Sequence, residues 1–144
     1  MKLERILLAV DFSHCSDGAV EHAAELARRF HAPLHVVHAV ELPVVIDPPP
    51  LLEHDARHEF ARARASLDEL ANDLERDGLP RPGETIEVGS PARVILETAE
   101  RERCDLIVVG THGRSGLRRL MIGSVAEHVI RHARCPVLTV RGRE

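Results

Sequence analysis

The sequence contains no tryptophan and no tyrosine, and its three phenylalanines bring the aromatic content to only 2%. It therefore lacks the ring platforms on which nucleic-acid bases stack. Positive charge is not in excess either: 19 Lys and Arg stand against 23 Asp and Glu, for a net charge of −4. A general nucleic-acid binder needs a broad basic face to displace phosphate counterions, so that class is disfavoured. Cysteine is scarce. Cys15, Cys104 and Cys135 form an odd set without a C-x-x-C spacing, which fits reduced thiols rather than a disulfide framework. No apolar run approaches the length of a membrane span. From Met1 to Ile6 the chain runs straight into an apolar segment, with neither the h-region nor the cleavage site of a signal peptide. A soluble, cytoplasmic protein is expected.

What is present is the composition of a globular domain, 44% apolar and 29% charged over 144 residues, a length that fits one domain spanning 1–144. Ile6-Leu7-Leu8-Ala9-Val10 is a continuous apolar run, the pattern of a strand buried on both faces. Ser16 is the expected N-cap of a following helix that carries Val20, Ala23, Ala24 and Ala27 and ends near Phe30. Leu34 to Val40 reads as a second strand. The proline-rich stretch from Pro43 to Pro50 that follows cannot be regular helix and reads as a loop, either a lid or part of an interface. A long charged helix runs from about Leu52 to Asp77, with Gly78 at its C-terminal stop. Thr85 to Val88 gives a third strand, and Ser90-Pro91 opens a helix to about Arg103. Leu106 to Val109 gives a fourth strand, Ser124 to Ala133 a helix, and Val137 to Val140 a fifth strand. Strict β-α alternation implies a parallel sheet with helices on both faces.

Between the fourth strand and the last helix lies a glycine-rich segment, Gly110 to Ser124, that holds Arg114, Arg118 and Arg119 and no acidic residue. Ligands of open α/β sheets bind at the carboxyl ends of strands, and a helix N-terminus presents free N–H groups and a partial positive charge to an anion. Glycines there let the backbone approach phosphate. Neither G-x-x-x-x-G-K-[ST] nor a G-x-G-x-x-G after a strand is present, so a nucleotide grip at this segment would be of another kind. A surface loop with solvated arginines is the alternative reading, and Ser124-Val125-Ala126-Glu127 matches a capping box that would occupy Ser124 without any ligand.

The spacing Gly110-x2-Gly113-x9-Gly123-Ser124 resembles, without gap or substitution, the nucleotide-binding pattern G-x2-G-x9-G-[ST] of the universal stress protein family. Ile6 to Ser13, Cys104 to Gly110 and Cys135 to Val140 extend the resemblance over nearly the whole chain; it is weakest from about Pro43 to Pro82. The resemblance implies an α/β fold of the adenine-nucleotide alpha hydrolase-like, Rossmann-like type, an open five-stranded parallel sheet in the order 3-2-1-4-5. It implies ATP as ligand, with ADP, AMP or a cyclic nucleotide as variants. Asp11 would approach the ribose, Gly110 would pass close to it, and the backbone of Val40 would meet adenine. Gly113, Arg114, Gly123, Ser124 and Val125 would hold the phosphates, with the Ser124 hydroxyl on phosphate or Mg²⁺, and Ser13 is a further candidate. Asp11 also reads as an Asx-type residue closing a strand-to-helix turn. The family further implies a homodimer through the edge strand Val137, Leu138, Thr139 and Val140.

Other constellations point less far. His54/His58 and His128/His132 have helical i, i+4 spacing, which ten histidines produce easily by chance, and His35 and His38 should face opposite sides of the sheet. Cys15 precedes a helix start, where a thiolate is stabilised, or is simply a small hydrophobe. No G-x-S-x-G elbow and no triad signature appears, and Thr111-His112-Gly113-Arg114 lacks the second histidine of an H-x-G-H adenylyl-transfer motif. The expected function is nucleotide sensing in a stress response. A slow ATPase or autophosphorylating enzyme, and an interaction scaffold without nucleotide, stay open as alternatives.

Overall fold

Each apolar run identified in the sequence becomes a strand because its residues have helices above and below them. In the computed structural model, residues 2–42, 52–112 and 122–142 are described, with side chains for all of these except 15 and 52–55. Their order is β1 (Ile6–Ala9), α1 (His14–Phe30), β2 (Leu34–Val40), α2 (Leu52–Arg76), β3 (Gly83–Val88), α3 (Pro91–Arg101), β4 (Leu106–Gly110), α4 (Ser124–His132) and β5 (Val137–Val140). The strands form one parallel sheet ordered β3-β2-β1-β4-β5. The central pairing sets Ile6 beside Leu34 on one side and Leu106 on the other. The stretch from Pro43 to Pro50, together with Gly113, Arg114, Arg118 and Arg119, lies outside the described residues.

Alternation along the strands divides the core into two layers. Ile6, Leu8, Leu34, Val36 and Val108 face α1 and α2, packing on Ala19, Ala23, Ala27, Leu67 and Leu74. Leu7, Ala9, Val37, Ile107 and Val109 face α3 and α4, packing on Val94, Ile95, Ala126 and Val129. Cys104 belongs to this second layer, and burial pushes its thiol up to about 12. His35 and His38 do face opposite sides. The Nε2 of His35 bonds the Thr85 hydroxyl, while the Nδ1–H of His38 donates to the Val10 carbonyl at 2.8 Å.

Two helix starts differ from the sequence expectation. α1 begins at His14 with Ser13, not Ser16, as N-cap, and Ser16 lies in the first turn with its hydroxyl donating to the Ser13 carbonyl. The cause lies upstream. Asp11 Oδ1 accepts both the Ser13 N–H (2.9 Å) and the Ser13 hydroxyl (2.6 Å), an Asx-type turn that brings the chain into helix three residues early. Likewise the capping box at Ser124 does not form. Gly123 is the N-cap of α4, no side chain among the described residues caps it, and Glu127 instead pairs with Arg131.

The far ends of three helices close alike. After α2, Leu79 N–H bonds the Leu74 carbonyl and Gly78 N–H that of Glu75, a Schellman hook with Gly78 at φ 87°. The same pair of bonds closes α1 through His31 and Ala32, and α3 through Arg103 and Cys104. His31 and Arg103 accept the left-handed conformation (φ 50° and 54°) without being glycine.

Candidate functional site

The chain leaves β1 toward α1 on one layer and leaves β4 toward α4 on the other, so the two neighbouring strands part company at their carboxyl ends. This divergence opens a crevice, the usual ligand position in such sheets. A cavity of about 580 Å³ occupies it. Of the residues expected at a ligand site, Asp11, Val40, Gly110, Gly123, Ser124 and Val125 line it together. Ser13 does not. Its hydroxyl is given to Asp11, so it reaches the crevice only by holding that carboxylate. Gly113 and Arg114 lie outside the described residues. Val40 lines the crevice with its carbonyl already accepting the Gly89 N–H at 3.0 Å, so a base there would meet the second lone pair of that oxygen or the side chain.

The floor of the crevice is built tightly around residues 111 and 123. Thr111, 6% exposed, donates its N–H to the Val140 carbonyl (2.9 Å), and its own carbonyl accepts the Gly123 N–H at 2.6 Å. A Cβ at position 123 would stand 2.9 Å from that carbonyl oxygen, so glycine is required there by contact and not by its φ of −60°. The first intrahelical bond of α4 runs from Glu127 N–H to the Gly123 carbonyl. The N–H groups of Ser124, Val125 and Ala126 therefore have no intrahelical acceptor. They stand at the positive end of the helix dipole, beside the cavity that Ser124 and Val125 line.

Ser16, His38, Thr111 and His112 are among the further residues lining the crevice that sequence reasoning did not select. The signal for Thr111 and His112 was their place inside the glycine-rich segment. His38 is buried, its ring 4.7 Å from that of Phe12, whose backbone sits at φ 60° between Asp11 and Ser13. A bulky residue in that region is strained, and the Asp11 bonds on its far side hold it. Among the described lining residues the charged groups are Asp11, Glu41 and Glu59, and the donors these residues offer an anion are backbone N–H groups, hydroxyls and imidazoles.

A family model described as the universal stress protein family matches residues 2–141. The chain belongs to the universal stress protein family. Among its universal stress relatives, one from Methanocaldococcus jannaschii is 35% identical over 96% of this chain and 82% of its own length. The solved universal stress protein UspA from Lactobacillus plantarum superposes with a TM-score of 0.89 at 27% identity, covering 98% of this chain and 99% of that one. A universal stress protein from Archaeoglobus fulgidus, solved in complex with dAMP, superposes with a TM-score of 0.71 at 26% identity over 98% and 100% of the two chains. The β3-β2-β1-β4-β5 sheet is thus a universal stress fold, and its crevice lies between β1 and β4.

Proposed function

We propose that this universal stress protein binds an adenine nucleotide, ATP first, in the crevice between β1 and β4, and that it works as a nucleotide-sensing module in a stress response. The observation that carries the reading is the start of α4. A helix N-terminus that no side chain among the described residues caps opens beside a cavity of about 580 Å³, with Gly123 pressed against the Thr111 carbonyl and the Ser124 hydroxyl freed from the capping box that its sequence suggests. Phosphate fits the dipole and the N–H groups there. The Archaeoglobus fulgidus relative solved with dAMP supports an adenine nucleotide as the class.

In this reading Gly123, Ser124 and Val125 hold the phosphates together with Gly113 and Arg114, and Ser124 supplies a hydroxyl to phosphate or to Mg²⁺. Asp11 and Gly110 flank the ribose. Val40 meets the base, and Ser13 holds Asp11 in position. Residues 1–144 act as a single universal stress domain, cytoplasmic and homodimeric. The experiment is to denature protein purified from its natural host and identify what it releases. An adenine nucleotide near one per chain is expected; protein that carries none, and takes none up when ATP is added, overturns the reading.

A further inference from the structure

One polar atom in the crevice is out of keeping with the rest. His112 lines the cavity, and its Nε2 is fully buried with no hydrogen-bond partner among the described residues. The other ring nitrogen is held: Nδ1 lies 2.9 Å from the Thr111 hydroxyl oxygen. Thr111 in turn is fixed at both backbone groups, by Val140 and by Gly123. The imidazole is therefore oriented by a residue that cannot easily move, while its outer nitrogen is left without a bond. A buried polar atom in that state costs free energy until something arrives to meet it.

The 2.9 Å contact allows two neutral arrangements. Either the hydroxyl donates to Nδ1, which leaves the ring proton on Nε2, or Nδ1–H donates to the hydroxyl and Nε2 keeps a lone pair. The crevice already carries acceptors in Asp11, Glu41 and Glu59. An oxygen-rich phosphate and ribose need donors. We propose that Thr111 and His112 form a ligand-gripping pair, in which the Thr111 hydroxyl donates to Nδ1 and the His112 Nε2–H donates to an oxygen of the bound nucleotide. The pair rests on the nucleotide reading above and adds to it a contacting residue, His112, and a positioning residue, Thr111, that sets the tautomer. The bond from Thr111 fixes the ring in advance, so the ligand has only to displace what covers Nε2 and need not order the imidazole.

The test is ATP titration calorimetry on the full chain with His112→Ala, His112→Gln, Thr111→Val and Thr111→Ser. The glutamine amide reaches the Nε2 position and keeps a donor there, so His112→Gln should stay within about threefold of wild type. His112→Ala should lose about ten- to hundredfold, the value of one hydrogen bond to a charged acceptor. Thr111→Val should weaken binding and Thr111→Ser should restore it. The 15N shifts of the His112 ring give a second readout: an Nε2–H tautomer in the free protein, with the Nε2 signal moving when ATP is added. An alanine variant within threefold of wild type overturns the pair, as does a glutamine loss equal to that of alanine. So does an Nδ1–H tautomer or an unmoved Nε2, which decides the matter even if the alanine variant fails to fold. A wild-type chain that binds no ATP overturns the nucleotide reading, and the pair with it.

Discussion

At position 123 the backbone leaves no room for a side chain, because a Cβ would press on the Thr111 carbonyl oxygen at 2.9 Å. Gly123→Ala must therefore lengthen the Gly123–Thr111 bond and turn the first N–H groups of α4. ATP affinity should fall about tenfold or more in titration calorimetry while the circular dichroism spectrum is retained. Unchanged affinity would remove the α4 start from the site. A second residue reports on the opposite end of the sheet. His35 is buried, and burial holds its imidazole below the ordinary 6.5, with Glu102 at 3.9 Å opposing the shift. The unfolded chain then takes up this proton before the folded one as pH falls. Stability from His35 is present above about 6.5 and is lost as pH drops through that value toward the lower folded one. Urea midpoints should decline from pH 7.5 to pH 5.5, and His35→Gln should decline less; an equal slope in both would contradict the assignment.

Elements were legible where a run of side chains had to be buried on two faces. Ile6 to Ala9 and Leu106 to Val109 are strands in sequence and structure alike, since such apolar runs have no other place in a parallel sheet. Helix starts were less legible. Ser16 and the Ser124–Glu127 box both have the residue types of a cap, but what precedes them decides where the helix opens: Asp11 closes its turn early, and the Thr111 carbonyl draws in the Gly123 N–H. The same holds for the site. Asp11, Val40, Gly110, Gly123, Ser124 and Val125 adjoin strand ends and carry motif residues, whereas His38 and Ser16 enter the crevice only through the register of β2 and the early start of α1. At the helix ends Gly78 announced its left-handed conformation and Arg103 did not. Arg103 adopts it at φ 54° because Cys104 must turn back to bond Ala99. Arg103→Gly should relieve that strain and raise unfolding free energy by up to about 1 kcal/mol in denaturant titration, while no gain would argue that other contacts of Arg103 offset the strain.

For the whole molecule, the sheet order leaves β5 as an edge strand, and Val137, Leu138 and Thr139 are only half-buried in the single chain. An exposed edge of this kind pairs readily with its own copy across a two-fold axis. The proposed homodimer should sediment at twice 16.0 kDa at micromolar concentration, and Leu138→Lys should shift it toward monomer. A wild-type monomer would contradict it. The sheet order also creates the crevice, since β1 and β4 are neighbours inside the sheet and send their chains to opposite layers. The central claim is that this crevice takes an adenine nucleotide. Titration of ligand-free protein with ATP in a calorimeter should give saturable heat at one ATP per chain, lost in Gly123→Val, and no heat of binding in the folded wild-type protein would contradict nucleotide binding.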